Sequence, residues 1–170
     1  LFVLMVTFIG GLICVYGGTY LAGDRQQPRF FAILLLFMTS MIGVVLADDM
    51  ILMFVFWELT SITSFLLIGY KHEEEKARKS ALQGLLVTGG GGLALLGGLI
   101  LTTQITGATR ISELPQHAAV LGASPWFVPA FLLILLGVFT KSAQVPFHFW
   151  LPNAMAVSYT HLRAHETEAD

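Results

Sequence analysis

Two residues of opposite charge stand where a chain of this composition should carry none: Glu58, inside the run Met50-Ile-Leu-Met-Phe-Val-Phe-Trp57, and Lys141, at the end of Phe131-Leu-Leu-Ile-Leu-Leu-Gly-Val-Phe-Thr140. A carboxylic acid and an amine are the pair that can hand a proton along a dry path, because each holds or releases it according to whether the other is near. Hydroxyls follow Glu58 at Thr60, Ser61, Thr63 and Ser64, with Ser61 one turn along on the same helical face. They either hydrate a proton path or bond back to their own helix and pack against neighbours. His148 stands seven residues beyond Lys141. An imidazole there either passes protons onward from the lysine or simply caps a helix kink.

The elements that must hold these groups follow from composition. Of 170 residues, 55% are hydrophobic and 12% charged, with 9 Lys+Arg against 11 Asp+Glu, and the mean hydropathy is +0.76. A soluble domain carries about 25% charge, so this chain cannot cover a surface facing water. A net charge of -2 offers nothing to nucleic-acid phosphates. The lone Cys14 excludes a disulfide framework and any CxxC motif. No Cys/His metal spacing, nucleophile with a base, or haem-binding histidine pair is present, so no cofactor is expected. Residue 1 is Leu and the first 22 residues are already an apolar span without a basic leader. The natural start is therefore expected upstream.

Five stretches reach the roughly 20 apolar residues needed to cross a bilayer: about 1–22, 30–47, 50–70, 80–102 and 126–155. Continuous runs without period-2 alternation are helices rather than barrel strands. The fold class is all-α, a polytopic transmembrane bundle. Arg25 and Arg29 in loop 23–29 and Lys71, Lys76, Arg78 and Lys79 in loop 71–79 put six basic residues on one face, against Arg110 alone in 103–125. The positive-inside rule then sets residue 1 outside and loops 23–29 and 71–79 in the cytoplasm. The run 71–79 reads as a solvated topogenic loop. Asp48 and Asp49 read as helix-end and turn residues, the alternative being cation collection at a pathway mouth.

Depth makes the two charges significant. Glu58 lies eight residues from Met50, about 12 Å into a core about 30 Å thick, where a charge costs at least about 2.5–3.5 kcal/mol. Lys141 is 15 residues in from Trp126. Fifteen apolar residues on one side argue against a lysine that snorkels to the interface. Pro146 removes the donor for the Ser142 carbonyl and drives Val145 out of helical geometry, so the helix is expected to break just after Lys141. Broken helices at mid-depth are how transporters expose carbonyls to ions. Gly89 to Gly92, with Gly97 and Gly98, lack the Lys-Ser/Thr of a phosphate loop and read as close helix packing. Pro129 falls where a span opens, a position a first helical turn tolerates.

The segments FWELTSITSFLLIGY at 56–70 and TKSAQVPFHFWLPNAM at 140–155 resemble the antiporter-like subunits shared by Mrp-type sodium/proton antiporters and the membrane arm of respiratory complex I. The resemblance covers residues 1–157 and implies a fourteen-helix fold with two inverted five-helix repeats, of which this chain would supply helices three to seven. It implies that Glu58 and Lys141 form a proton-transfer switch. Complex I members usually carry an acidic residue where this chain has Gly92, and read WEG where it has Trp57-Glu58-Leu59. Both departures point to the large A-type Mrp subunit.

The resemblance therefore implies a Na+/H+ antiporter subunit, not a catalytic enzyme, in the plasma membrane. It would be active among other antiporter-complex subunits, moving Na+ and H+ across the lipid bilayer. The alternative is a proton-pumping subunit of NADH:quinone oxidoreductase or of a membrane-bound hydrogenase. Residues 158–170, with Arg163, Glu166, Glu168 and Asp170, do not continue the pattern. They read as a non-family, artefactual tail, in which His161 and His165 receive no role.

Overall fold

The computed structural model describes residues 1–70 and 73–154; the expected tail at 158–170 lies outside them. Helix α1 runs Phe2–Tyr20, α2 Gln27–Leu46, α3 Met50–Ile68 and α4 Glu75–Thr106. A 3-10 turn at Ile111–His117 and the short α5, Ala118–Ala123, lead into α6, Phe127–Lys141. A second 3-10 turn, Phe147–Phe149, and a helical turn at 150–154 follow. Four helices are long and apolar enough to span a membrane, and α6 is a shorter apolar helix. A helix thus stands in each of the five expected stretches, but the fifth, α6, has only 15 residues and falls short of a full span, stopping at Lys141, where the break was expected.

Each helix packs on its predecessor: α1 on α2, α2 on α3, α3 on α4 and α4 on α6. The interior combines small and hydroxylated residues with an apolar cluster of Met50, Leu95 and Leu99, while many large apolar side chains, such as Leu4, Phe8, Leu86 and Leu93, point outward. This inversion is what lipid selects. Hydrocarbon surrounds Leu and Phe as favourably as another helix does, so association depends on close backbone approach. Buried Ser40, Thr63, Thr88 and Thr102 donate to the carbonyls of Leu36, Leu59, Gly84 and Gly98 at 2.6–2.8 Å. Each thereby satisfies its proton within its own helix.

Helix α4 corrects the expected span of 80–102. It starts at Glu75, inside what the sequence suggested was loop, and ends at Thr106. At 1.5 Å per residue its 32 residues measure about 48 Å, well beyond the hydrocarbon thickness. Polar ends of a helix leave the bilayer at no backbone cost, and Glu75 and Lys79 pair one turn apart at 2.7 Å. Gly107, at φ 74°, closes the other end in the left-handed conformation. The expected loop 103–125 likewise contains the 3-10 turn and α5.

The connections segregate to opposite ends of the bundle, in keeping with the alternation read from the loops. At one end Tyr70 Oη donates to Asp24 at 2.9 Å. At the other, Asp49 caps α3 by accepting from the amides of Ile51 and Leu52. Asp48 does more than turn the chain. Its carboxylate accepts from the amide and hydroxyl of Ser112 at 2.9 and 2.7 Å, and backbone bonds join Met50 to Thr109 and Ile111 to Asp48. Both carboxylates are thus engaged in structural bonds rather than turned toward a pathway mouth.

The Ser112 hydroxyl, aided by its amide and by Arg110, holds the Asp48 carboxyl below its ordinary value of 3.8. A carboxyl depressed in the folded state stabilises above its unfolded value and ceases to do so as pH falls through the lower folded one. Protection of the Ser112 amide against hydrogen exchange should therefore fall as pH drops below 3.8. In Asp48→Asn that dependence should vanish; an unchanged pH profile in the variant would show that Asp48 is not the titrating group.

Candidate functional site at the broken end of helix α6

Helix α6 stops where Pro146 requires. The amide of Ser142 still bonds to Val138 O at 3.0 Å, and Gln144 N reaches Phe139 O at 2.9 Å. Ala143 adopts a positive φ of 51° and Val145–Pro146 is cis. Lys141 is the last helical residue, at the end where the helix dipole favours a cation. Beyond the break, Trp150 folds back and its indole N–H donates to Thr140 O at 3.0 Å. One of the carbonyls that the break frees is so occupied.

The lysine crosses to α3. Its Nζ donates to Thr60 Oγ1 at 2.6 Å, Ser61 Oγ at 2.7 Å and Trp57 O at 3.4 Å, and lies 5.6 Å from the centre of the Trp57 ring. An ammonium has three protons, and three acceptors receive them. Thr60 Oγ1 gives its own proton to Trp57 O at 2.7 Å, which leaves its oxygen lone pairs for the lysine. The hydroxyls thus bond back to their own helix and, by doing so, become acceptors for a partly buried ammonium.

Glu58 faces elsewhere. Among the described residues its Oε1 is buried without a hydrogen-bond partner, as is Trp57 Nε1. No Glu58–Lys141 ion pair forms within 4.0 Å; the ion pair found among the described residues is Glu75–Lys79. The carboxylate end sits against Gly92 of α4, where an added Cβ would collide with Oε1. The structure thus brings Lys141 to the residues that flank Glu58 on α3, but not into an ion pair with it. His148 is exposed on its 3-10 turn. Among the described residues it makes no side-chain hydrogen bond to the pair.

Small residues let α4 approach. Gly84, Gly91 and Gly98 recur every seven residues: Gly84 lies against the Trp150 ring, Gly91 against Thr140, and Gly98 against Ile134 and the Ala130 carbonyl. From the other side, Gly137 of α6 meets Leu95 and the Gly91 carbonyl. Close packing, the reading given to the glycine run, is what Gly91, Gly92 and Gly98 do. Gly89 and Gly90 face open space. Sequence reasoning missed Gly84 and the indole of Trp150; the seven-residue glycine spacing was the signal available for the first.

The hydroxyl cradle predicts a measurable coupling. Thr60→Val with Ser61→Ala removes two hydrogen bonds to a charged group, each worth about 1.5–3 kcal/mol. The thermal midpoint of the solubilised full-length protein should fall clearly. In a Lys141→Met background the same pair should cost little, because no ammonium remains to be satisfied. Equal losses in both backgrounds would mean that the hydroxyls act through packing alone.

Residues 47–162 match the family model described as NADH:quinone oxidoreductase/Mrp antiporter, TM. Residues 1–31 match that of the NADH-ubiquinone oxidoreductase (complex I) chain 5 N-terminus. A probable K(+)/H(+) antiporter subunit of Rhizobium meliloti is 49% identical over 92% of this chain and 16% of its own length. The A1 subunit of a Na(+)/H(+) antiporter of Staphylococcus aureus is 46% identical over 91% of this chain and 19% of its own. The chain therefore spans a fifth or less of the curated relatives it matches. The structure of the Mrp complex from Dietzia sp. superposes with a TM-score of 0.66 at 44% identity, over 72% of this chain and 13% of that one. With both the transmembrane model and the bundle matched, the chain belongs to the NADH:quinone oxidoreductase/Mrp antiporter transmembrane family.

Proposed function

We propose that the full protein is the A-type subunit of a monovalent cation/proton antiporter, and that Glu58 and Lys141 carry its proton. The observation that supports this most directly is the lysine at the broken end of α6, its ammonium held by neutral oxygens of α3 while Glu58 stands unpaired nearby. Hydroxyls solvate an ammonium without supplying countercharge, whereas a carboxylate supplies it. Movement of Nζ between the two settings alternates proton retention with release. His148, exposed past the break, takes the released proton toward the basic, cytoplasmic end.

A monovalent cation, sodium or potassium, is the proposed exchanged ion, since relatives are named for Na(+)/H(+) and for K(+)/H(+) exchange. The subunit would work within a hetero-oligomeric complex in the plasma membrane. A second reading, a proton-pumping subunit of NADH:quinone oxidoreductase, is favoured by the match of residues 1–31. Everted vesicles carrying the full-length protein in its complex separate the two. Addition of NaCl or KCl should collapse a preformed pH gradient without NADH-dependent quinone reduction. A gradient that forms only with NADH and ignores both salts would overturn the antiporter reading.

A further inference from the structure

The two sides of the break in α6 are seated on one helix. Thr140, before the break, packs against Gly91 of α4, and the Trp150 ring, after it, lies against Gly84, where an added Cβ would come to 3.4 Å from the ring. These glycines stand seven residues apart, two turns or about 10.5 Å along α4. Asn153 Nδ2 donates to Gln83 Oε1 at 2.9 Å. The turn that carries Trp150 is therefore bonded to α4 beside the glycine that receives its ring.

We propose that Trp150 is a positioning residue for the proton transfer assigned to Lys141: its indole N–H fixes the Thr140–Lys141 peptide and, through it, the pivot from which the lysine reaches α3. The role rests on the relay reading of Glu58 and Lys141 and adds to it the group that aims the lysine.

Bonding at the break leads to this role. In a continuing helix the Gln144 amide would serve Thr140 O; here it turns to Phe139 O at 2.9 Å. Thr140 O keeps the Ala143 amide at 3.4 Å, and the indole at 3.0 Å is its shorter bond. A peptide unit is planar, so the direction of the Thr140 carbonyl also sets the nitrogen and Cα of Lys141. Lys141 is the last residue of α6, where helices fray unless the end is held. From that Cα the side chain reaches Thr60 Oγ1 and Ser61 Oγ at 2.6 and 2.7 Å. A tilt at the root of a long, flexible stem is amplified at its ammonium.

Trp150→Phe, in the full-length protein in its complex, keeps a ring against Gly84 and deletes the donor. Exchange per assembled complex should fall about tenfold, the effect of one hydrogen bond, through turnover and with the KM for the exchanged cation unchanged. Stability shows whether the lysine has moved. The loss of thermal midpoint caused by Thr60→Val with Ser61→Ala should be less than half as large in the Trp150→Phe background, because an ammonium no longer aimed at those hydroxyls does not depend on them. Unchanged turnover in Trp150→Phe, or full additivity of the three substitutions, overturns the proposal. Should Trp150→Phe fail to assemble, a benzothiophene analogue of tryptophan at position 150, equal in size and without the N–H, carries the same expectations. Exchange that persists in Lys141→Met overturns the relay; the stability cycle follows where the ammonium lies and still decides the role of Trp150.

Discussion

Full-length protein carrying Lys141→Met is expected to assemble normally and to lose cation/proton exchange by about 10²-fold or more, the scale on which a positioned proton-transfer group contributes. Assembly should survive because the change removes a partly buried charge and leaves an apolar chain of similar length. Replacing buried ions by apolar residues is often neutral or stabilising. The Thr60 hydroxyl keeps its bond to Trp57 O, so no new unsatisfied donor is created. Transport should fail because nothing can then take a proton from the Glu58 side and pass it to His148 beyond the break.

Lys141→Arg separates a proton carrier from a fixed charge. A guanidinium keeps the positive charge and finds the acceptors on α3, yet it does not deprotonate in proteins. Exchange in vesicles should be as low as in Lys141→Met. Near-normal exchange in the arginine variant would mean that the lysine acts as a static cation, and the proposed relay would have to be abandoned. Glu58→Gln should be similarly inactive, because an amide accepts hydrogen bonds but carries no proton.

The second large effect is a contrast between two glycines. Gly92→Ala adds a Cβ that collides with Glu58 Oε1, the far end of a flexible side chain. The carboxylate moves and the helices do not. Alanine also favours the helix by up to about 1 kcal/mol, so the thermal midpoint should hold while transport falls on the order of 10²-fold through misplacement of a reacting group. Gly137→Ala sets its Cβ 2.8 Å from the Gly91 carbonyl and 2.7 Å from Leu95 Cβ.

Backbone and Cβ atoms cannot swing aside, so α4 and α6 must separate, at about 1–3 kcal/mol. The thermal midpoint and the yield of assembled complex should fall first, with transport following the amount of folded protein. If Gly92→Ala unfolds the protein, or Gly137→Ala leaves stability intact, the seam has been assigned to the wrong glycines.

What could be read without coordinates had one physical basis. Transfer of each residue into hydrocarbon has its own cost, and that cost adds along the chain. It marks the helices to within a few residues and makes Glu58 and Lys141 conspicuous, since a charge in an apolar run is too expensive to be incidental. The break after Lys141 was also local, because Pro146 acts on the carbonyl four residues before it. The ends of α4 were misjudged for the same reason: transfer cost says where a helix leaves the lipid, not where it stops being a helix.

What tertiary structure alone decided is which helix faces which. In lipid no apolar stripe distinguishes a buried face from an exposed one, because tails and neighbouring helices are equally apolar. Close approach at Gly91, Gly98 and Gly137 selects the α4–α6 pairing, and that pairing fixes the lysine over Thr60 and Ser61 instead of beside Glu58. The latch of Asp48 on Ser112 joins residues 64 apart. By itself the sequence determined which charged groups stand inside apolar helices. Shape packing between helices determined which of them touch.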